Sequence, residues 1–198
     1  MTTALMLARL RTLLDESAAG FWTETEEYAA LSDGQKELSN IVFQKNPHSQ
    51  ILKPLLSSKS GTETTGTEID LPDDFKAFMN AKWSTVTTST QYPCRIVNYD
   101  AQFIQDKNNT YLAPMRASPV IYVVGSTFSF EPVSTVGDYS SIYLSQTTDI
   151  DGSTEPILLA EAHESIVIYA FSFLLRKDLR AQEADGVYKT FLDMAGKL

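Results

Sequence analysis

The chain is poor in the residues that carry chemistry. Its 198 positions hold one cysteine, Cys94, and two histidines, His48 and His163. A single thiol excludes an internal disulfide and a cysteine-based zinc cluster, and it fits a reducing compartment. The nine glycines are scattered, so neither a phosphate-cradling loop nor a dinucleotide fingerprint is formed. No Gly-x-Ser-x-Gly elbow occurs. Cations are outnumbered, 16 Lys and Arg against 25 Asp and Glu, for a net charge of −9. That balance excludes a surface built to wrap nucleic acid, which needs clustered Lys and Arg. The aromatic residues, 11% of the chain, are not interleaved with cations as a single-strand stacking platform requires. The longest apolar run, Ile166 to Leu175, is interrupted by Ser172 and has about half the length a membrane helix needs. The segment from Met1 is amphipathic and carries Arg9 and Arg11, unlike a signal-peptide core. A soluble protein made in the cytosol is expected.

What is present is a helix–strand–helix pattern with 43% apolar residues, enough for a packed core. Leu7, Leu10 and Leu14 share a face, predicting a helix from about 3 to 16. Thr23-Glu24-Thr25-Glu26 reads as a capping box: Thr23 accepts from the Glu26 amide and Glu26 reaches back. Tyr28, Leu31, Leu38, Ile41 and Val42 continue that helix to Asn46-Pro47, where proline stops it. Gly34 interrupts its apolar face and predicts a close helix contact. Residues 57–68, rich in Ser, Thr and Gly, read as a polar loop or hairpin tip. Glu68 to Leu71 reads as a short strand stopped by Pro72, and Asp73 to Met79 as the start of a short helix with Asp73 or Asp74 as its N-cap.

From about residue 82 to 146 the period becomes two. Pro119 to Val124, a turn at Gly125-Ser126, and Thr127 to Glu131 predict a hairpin ended by Pro132. Tyr139 to Leu144 alternates again. Near residue 157 the helical period returns in Leu158, Ala162, Ile166, Tyr169, Ala170, Phe173 and Leu174. A break at 178–181 precedes a last amphipathic helix through Ala184, Tyr188, Phe191, Leu192 and Ala195. Tyr169, Phe171 and Phe173 lie on different faces of one helix, so it is buried on several sides, either between subunits or in the core.

No group of residues nominates a reaction. His163-Glu164 begins like a zinc-protease helix, but Val167 stands where the second histidine belongs. Asp149 to Ser153 resembles the start of a calcium loop without its closing glutamate, and a turn is the expectation. No catalytic, cofactor-binding or metal residue is therefore assigned, and no enzyme is expected.

Three stretches together resemble the head-to-tail connector, or adaptor, proteins of phage necks, including the tail-tubular gatekeeper type of short-tailed phages. They are Phe21-Trp22-Thr23-Glu24 with Tyr28 to Gly34; Ile69-Asp70-Leu71-Pro72-Asp73-Asp74-Phe75; and Pro119 to Tyr122 through Phe128-Ser129-Phe130-Glu131-Pro132 to Tyr143 and His163 to Ala170. The resemblance implies an α+β fold, one domain over 1–198. N-terminal helices and two C-terminal helices (1–56 and 157–198) would form a bundle carrying an inserted β-hairpin or small antiparallel sheet (about 68–146). It implies a homo-oligomeric ring of twelve copies in the virion neck, beneath the portal. The ring would dock tail, nozzle or stopper proteins, DNA would pass through without sequence-specific binding, and no membrane or cofactor would be involved. The expected contact residues are Tyr188, Phe191 and Leu192 on the last helix with Tyr169 and Phe173 on the one before. The alternatives are another neck, tail-completion or assembly protein, and a cytosolic small-molecule binder or enzyme.

Overall fold

The computed structural model describes residues 1–15, 21–63, 68–85, 90–100, 113–115, 117–131 and 136–198. The fold is α+β, and the chain divides into two compact units. One comprises Met1–Leu55 and Gln146–Leu198; the other, Leu56–Ser145, is inserted within it.

The first unit is helical. It contains α1 (Thr3–Leu13), α2 (Glu24–Lys45), α3 (His163–Lys177) and α4 (Ala181–Ala195). α1 stops at Leu13, three residues before the expected end. The capping box of α2 forms: Thr23 Oγ1 accepts from the Glu26 amide at 3.3 Å, and the Thr23 amide donates to Glu26 Oε2 at 3.1 Å. α2 and α3 run antiparallel, with Lys177 beside Glu26 at one end and Gly34 against Ile166 further along. A Cβ placed on Gly34 would lie 2.9 Å from the Ile166 carbonyl oxygen, which accounts for a glycine in mid-helix. α1 is pinned to α2 by a bidentate pair in which Arg11 donates to the fully buried Glu27, at 2.6 Å for the shortest bond. The core is Met6, Leu10, Leu31, Leu38, Ile166, Leu174 and Phe191, all 0% exposed.

The segment returning from the β unit is fastened to α2 by two buried polar side chains. Ser32 Oγ accepts from the Ile150 amide at 2.8 Å. Gln35 donates to the Thr148 carbonyl and accepts from the Ile157 and Leu158 amides. Buried amides and carbonyls need such partners, because an unmade hydrogen bond away from water costs about 1–3 kcal/mol.

Among the described residues the second unit holds two four-stranded sheets. The strands are β1 (Leu56–Glu63), β2 (Ile69–Asp70), β3 (Phe75–Thr85), β4 (Tyr92–Pro93), β5 (Arg95–Ile96), β6 (Val120–Val124), β7 (Thr127–Glu131) and β8 (Gly137–Ser145). The sheet orders are β1-β8-β3-β4 and β2-β7-β6-β5. Pairing is antiparallel except between β5 and β6. The β6–β7 hairpin forms as the alternation predicts, with Gly125 at φ +61° in its turn. Ala81, Trp83 and Tyr139 from one sheet bury against Ile121, Phe128 and Phe130 from the other.

Two expectations are corrected here. Residues 75–79, expected in a short helix, lie instead in strand β3 (Phe75–Thr85). Lys76, Ala77 and Met79 are good helix formers, but pairing of the strand along β8 with burial of Trp83 outweighs that preference. Asp74 is accordingly no helix cap; it accepts from the Tyr143 hydroxyl at 3.1 Å. The polar stretch begins as strand β1, paired with β8 from Leu56↔Leu144 to Glu63↔Gly137. The β-rich insert thus opens at 56 rather than 68. Residues 64–67 and 86–89, and Pro132, lie outside the described residues.

Candidate functional site

α3 and α4 form an antiparallel hairpin, and its two long rows of side chains build an aromatic stripe. Tyr169 and Phe173, one turn apart on α3, stack with centroids 6.5 Å apart. Tyr188 and Phe191 of α4 approach Tyr169 edge-on at 6.2 and 5.1 Å. Phe191 is fully buried within the single chain. It is the root of the stripe, and its ring has no exposed surface in the single chain. Tyr169, Phe173 and Tyr188 are half-buried, and Leu192 is exposed. Burial, and then the carboxylates of Glu37 and Asp33, raises the Tyr169 hydroxyl pKa.

Cations cover part of it. The Arg176 guanidinium lies 5.0 Å from the Tyr188 ring centroid and pairs with Asp185 at 2.9 Å. Lys177 Nζ lies 5.6 Å from the Phe173 ring and 5.8 Å from the Trp22 ring, and pairs with Glu26. Such contacts hold the stems of long side chains over apolar surface while the charged heads stay in water.

The turn joining α3 to α4 falls at the expected break. It is a Schellman motif: the Arg180 amide donates to the Leu175 carbonyl and the Leu179 amide to the Arg176 carbonyl. Leu179 occupies the left-handed position at φ +60°, where glycine is the usual residue, and its side chain is 91% exposed. Phe21, 72% exposed, packs edge-on against Trp22 and so lies at the same end of the unit. The one sequence signal for Leu179 is an isolated leucine among Lys177, Asp178 and Arg180 at a helix stop.

A cleft of about 350 Å³ opens along α2. Its apolar surface comes from Tyr28, Ala29 and Ile150; Asp33, Asp149 and Asp151 supply carboxylates, and Lys36 pairs with Asp149 at 2.7 Å. Asp151 forms the expected turn, accepting from the Ser153 and Thr154 amides, which pull its carboxyl down to about 2. The β unit has its own cleft of about 490 Å³, lined by Phe75, Phe78, Ile96, Tyr99 and Tyr122. Tyr99 and Tyr122 stack there at 4.9 Å.

Neither cleft aligns a nucleophile with a base. His163 is buried and committed: Nε2 donates to the Leu158 carbonyl at 2.8 Å, and Nδ1 faces the Met1 amino group at 2.8 Å. Burial pushes the Cys94 thiol up to about 12, leaving it a poor nucleophile. Among the described residues no group of three or more His, Cys, Asp or Glu side chains is placed to hold a metal ion, and no helix is long and apolar enough to cross a membrane. A scan against protein-family models finds no match to this chain, and neither does a search of curated proteins.

Proposed function

We propose that this chain is a structural protein of a phage neck, a head-to-tail adaptor that forms a ring beneath the portal, extends the DNA channel and docks tail proteins. The observation that carries the reading is the insertion of a β unit, Leu56–Ser145, within a helical unit that closes with the α3–α4 hairpin. That arrangement accompanies the three stretches that resemble the family. The exposed Leu179 and Leu192 and the half-buried Tyr169, Phe173 and Tyr188 add to it, since exposed apolar surface is what an interaction site offers. A net charge of −9 suits a channel past which DNA slides. Another neck or tail-completion protein would share this physics and differ in partner.

The test is sedimentation and negative-stain microscopy of the purified chain with the portal protein encoded beside it. The adaptor reading expects rings seated on the portal. A chain that leaves portal sedimentation unchanged refutes it.

A second reading, a small-molecule binder, is favoured by one feature, the aromatic cleft of the β unit. It predicts that a soluble aromatic ligand quenches tyrosine fluorescence in the wild type and not in Tyr122→Ala.

A further inference from the structure

We propose that α4 is an exchangeable arm: two copies of this chain trade it by straightening at Leu179, so that each α4 packs on the α3 of the other copy in a two-fold dimer. The inference goes beyond the adaptor reading and stands without it.

The turn that folds α4 back on α3 lacks the residues that would encode it. A helix that ends in a Schellman motif ordinarily carries glycine at the left-handed position. Leu179 holds that position at φ +60°, against the resistance of its own Cβ. A helix that follows ordinarily opens on Ser, Thr, Asp or Asn. Arg180 stands there instead, and no side chain caps the start of α4. The run Lys177-Asp178-Leu179-Arg180-Ala181 contains neither glycine nor proline, and Lys, Leu, Arg and Ala are all strong helix formers. Local preference therefore runs through the break, and Leu179 is strained in the folded-back turn and unstrained in a continued helix.

α4 is also lightly held. Only Ala184, Phe191 and Ala195 of its 15 residues are buried, against eight of the 15 in α3. The groove it would leave is specific for it: Phe191 and Tyr188 meet Tyr169 edge-on, and Asp185 pairs with Arg176. The occupant is therefore the segment that already fills the groove, supplied by a second copy. α3 and α4 run antiparallel in the hairpin. Two straightened copies laid antiparallel restore that order twice, α4 of each on α3 of the other, and the contact is isologous and closed. Contacts broken on opening are regained between the chains. The balance is then set by the strain released at two turns against the cost of association.

The experiment refolds the full chain from urea at up to about 1 mM and measures dimer by sedimentation velocity. The wild type is expected to dimerise. Leu179→Gly, at ease in the turn and disfavoured in a helix, is expected to lower the association constant at least about tenfold. The exchange itself is read with Arg176→Cys/Asp185→Cys, an exposed pair that faces across the hairpin, made in a Cys94→Ala background and treated with a short bismaleimide. The monomer fraction is expected to be joined within one chain, and the dimer fraction between two chains on a denaturing gel. The proposal is overturned if the refolded wild type is monomeric throughout, or if Leu179→Gly dimerises as strongly as the wild type. It is also overturned if the dimer fraction is joined only within single chains, which would mean that the copies associate with their hairpins closed. The adaptor reading is decided separately by the portal mixture.

Discussion

Replacing Gly34 and Gly186 by alanine should move stability in opposite directions, although both glycines lie inside helices. Alanine at an interior helix position is worth about 1 kcal/mol over glycine, because glycine loses more backbone freedom on folding. At Gly186 in α4 nothing lies within 4 Å of the added methyl, so Gly186→Ala keeps that gain whole. At Gly34 the methyl would sit 2.9 Å from the Ile166 carbonyl oxygen and 3.1 Å from the Tyr169 ring. The first neighbour is backbone, so α2 and α3 must separate by several tenths of an ångström. Overpacking of this kind costs about 1–3 kcal/mol. Subtracting the propensity gain leaves Gly34→Ala destabilised by roughly 1 kcal/mol, and the two variants differ by about 2 kcal/mol. For a chain of this size that is a spread of about 4–8 °C in the thermal midpoint. Urea titrations followed by far-ultraviolet circular dichroism at 222 nm report the helical unit directly. A Gly34→Ala variant as stable as Gly186→Ala would refute the close approach of α2 and α3.

Other substitutions separate the core of the hairpin from its surface. Phe191→Ala, at a fully buried ring, should cost about 3–5 kcal/mol in the same titration; a small loss would mean that the ring is not the root of the stripe. Arg11→Ala strands the fully buried Glu27 carboxylate and should cost about 3 kcal/mol, with little dependence on salt below pH 8. A strong salt dependence would place the pair in solvent. The Cys94 thiol, raised by burial from 9.0 to about 12, should react with a thiol reagent at pH 8 far more slowly in the native chain than in urea. The sign follows from linkage: the folded state holds the proton more tightly, so the contribution of Cys94 to stability is whole below pH 9 and declines as pH rises toward 12. Equal reaction rates in the folded and unfolded chains would contradict that burial.

Local chemistry was the legible part of the fold. The Thr23–Glu26 capping box, the Asn46-Pro47 stop, the Gly125-Ser126 hairpin and the close contact at Gly34 each depend on a few neighbouring residues, and each is where the pattern puts it. The misread segments depend on distant partners. β1 has the composition of a loop and becomes a strand because β8, some 80 residues later, offers it a ladder. β3 holds helix formers and is drawn to the other side of the same strand. The apolar stripe of α3 and α4 was legible as a stripe, but its division was not. Phe191 and Leu192 are adjacent letters of similar character, and only the packing against Tyr169 and Tyr188 sends one inward and leaves the other exposed. Leu179 escaped because its meaning lies in a positive φ, which no periodicity encodes.

The interrupted connectivity also sets an order of events during synthesis. Every strand of the β unit has left the ribosome once Ser145 has emerged, whereas α2 finds its partner helix only after Ile166 has been made, 132 residues after Gly34. At typical elongation rates that wait is roughly 10 s, far longer than a helix takes to form. Through that interval Leu31 and Leu38, later fully buried, have no α3 to cover them. The nascent chain is therefore most open to chaperones, and to premature pairing with other nascent copies on the same message, before the helical unit can close.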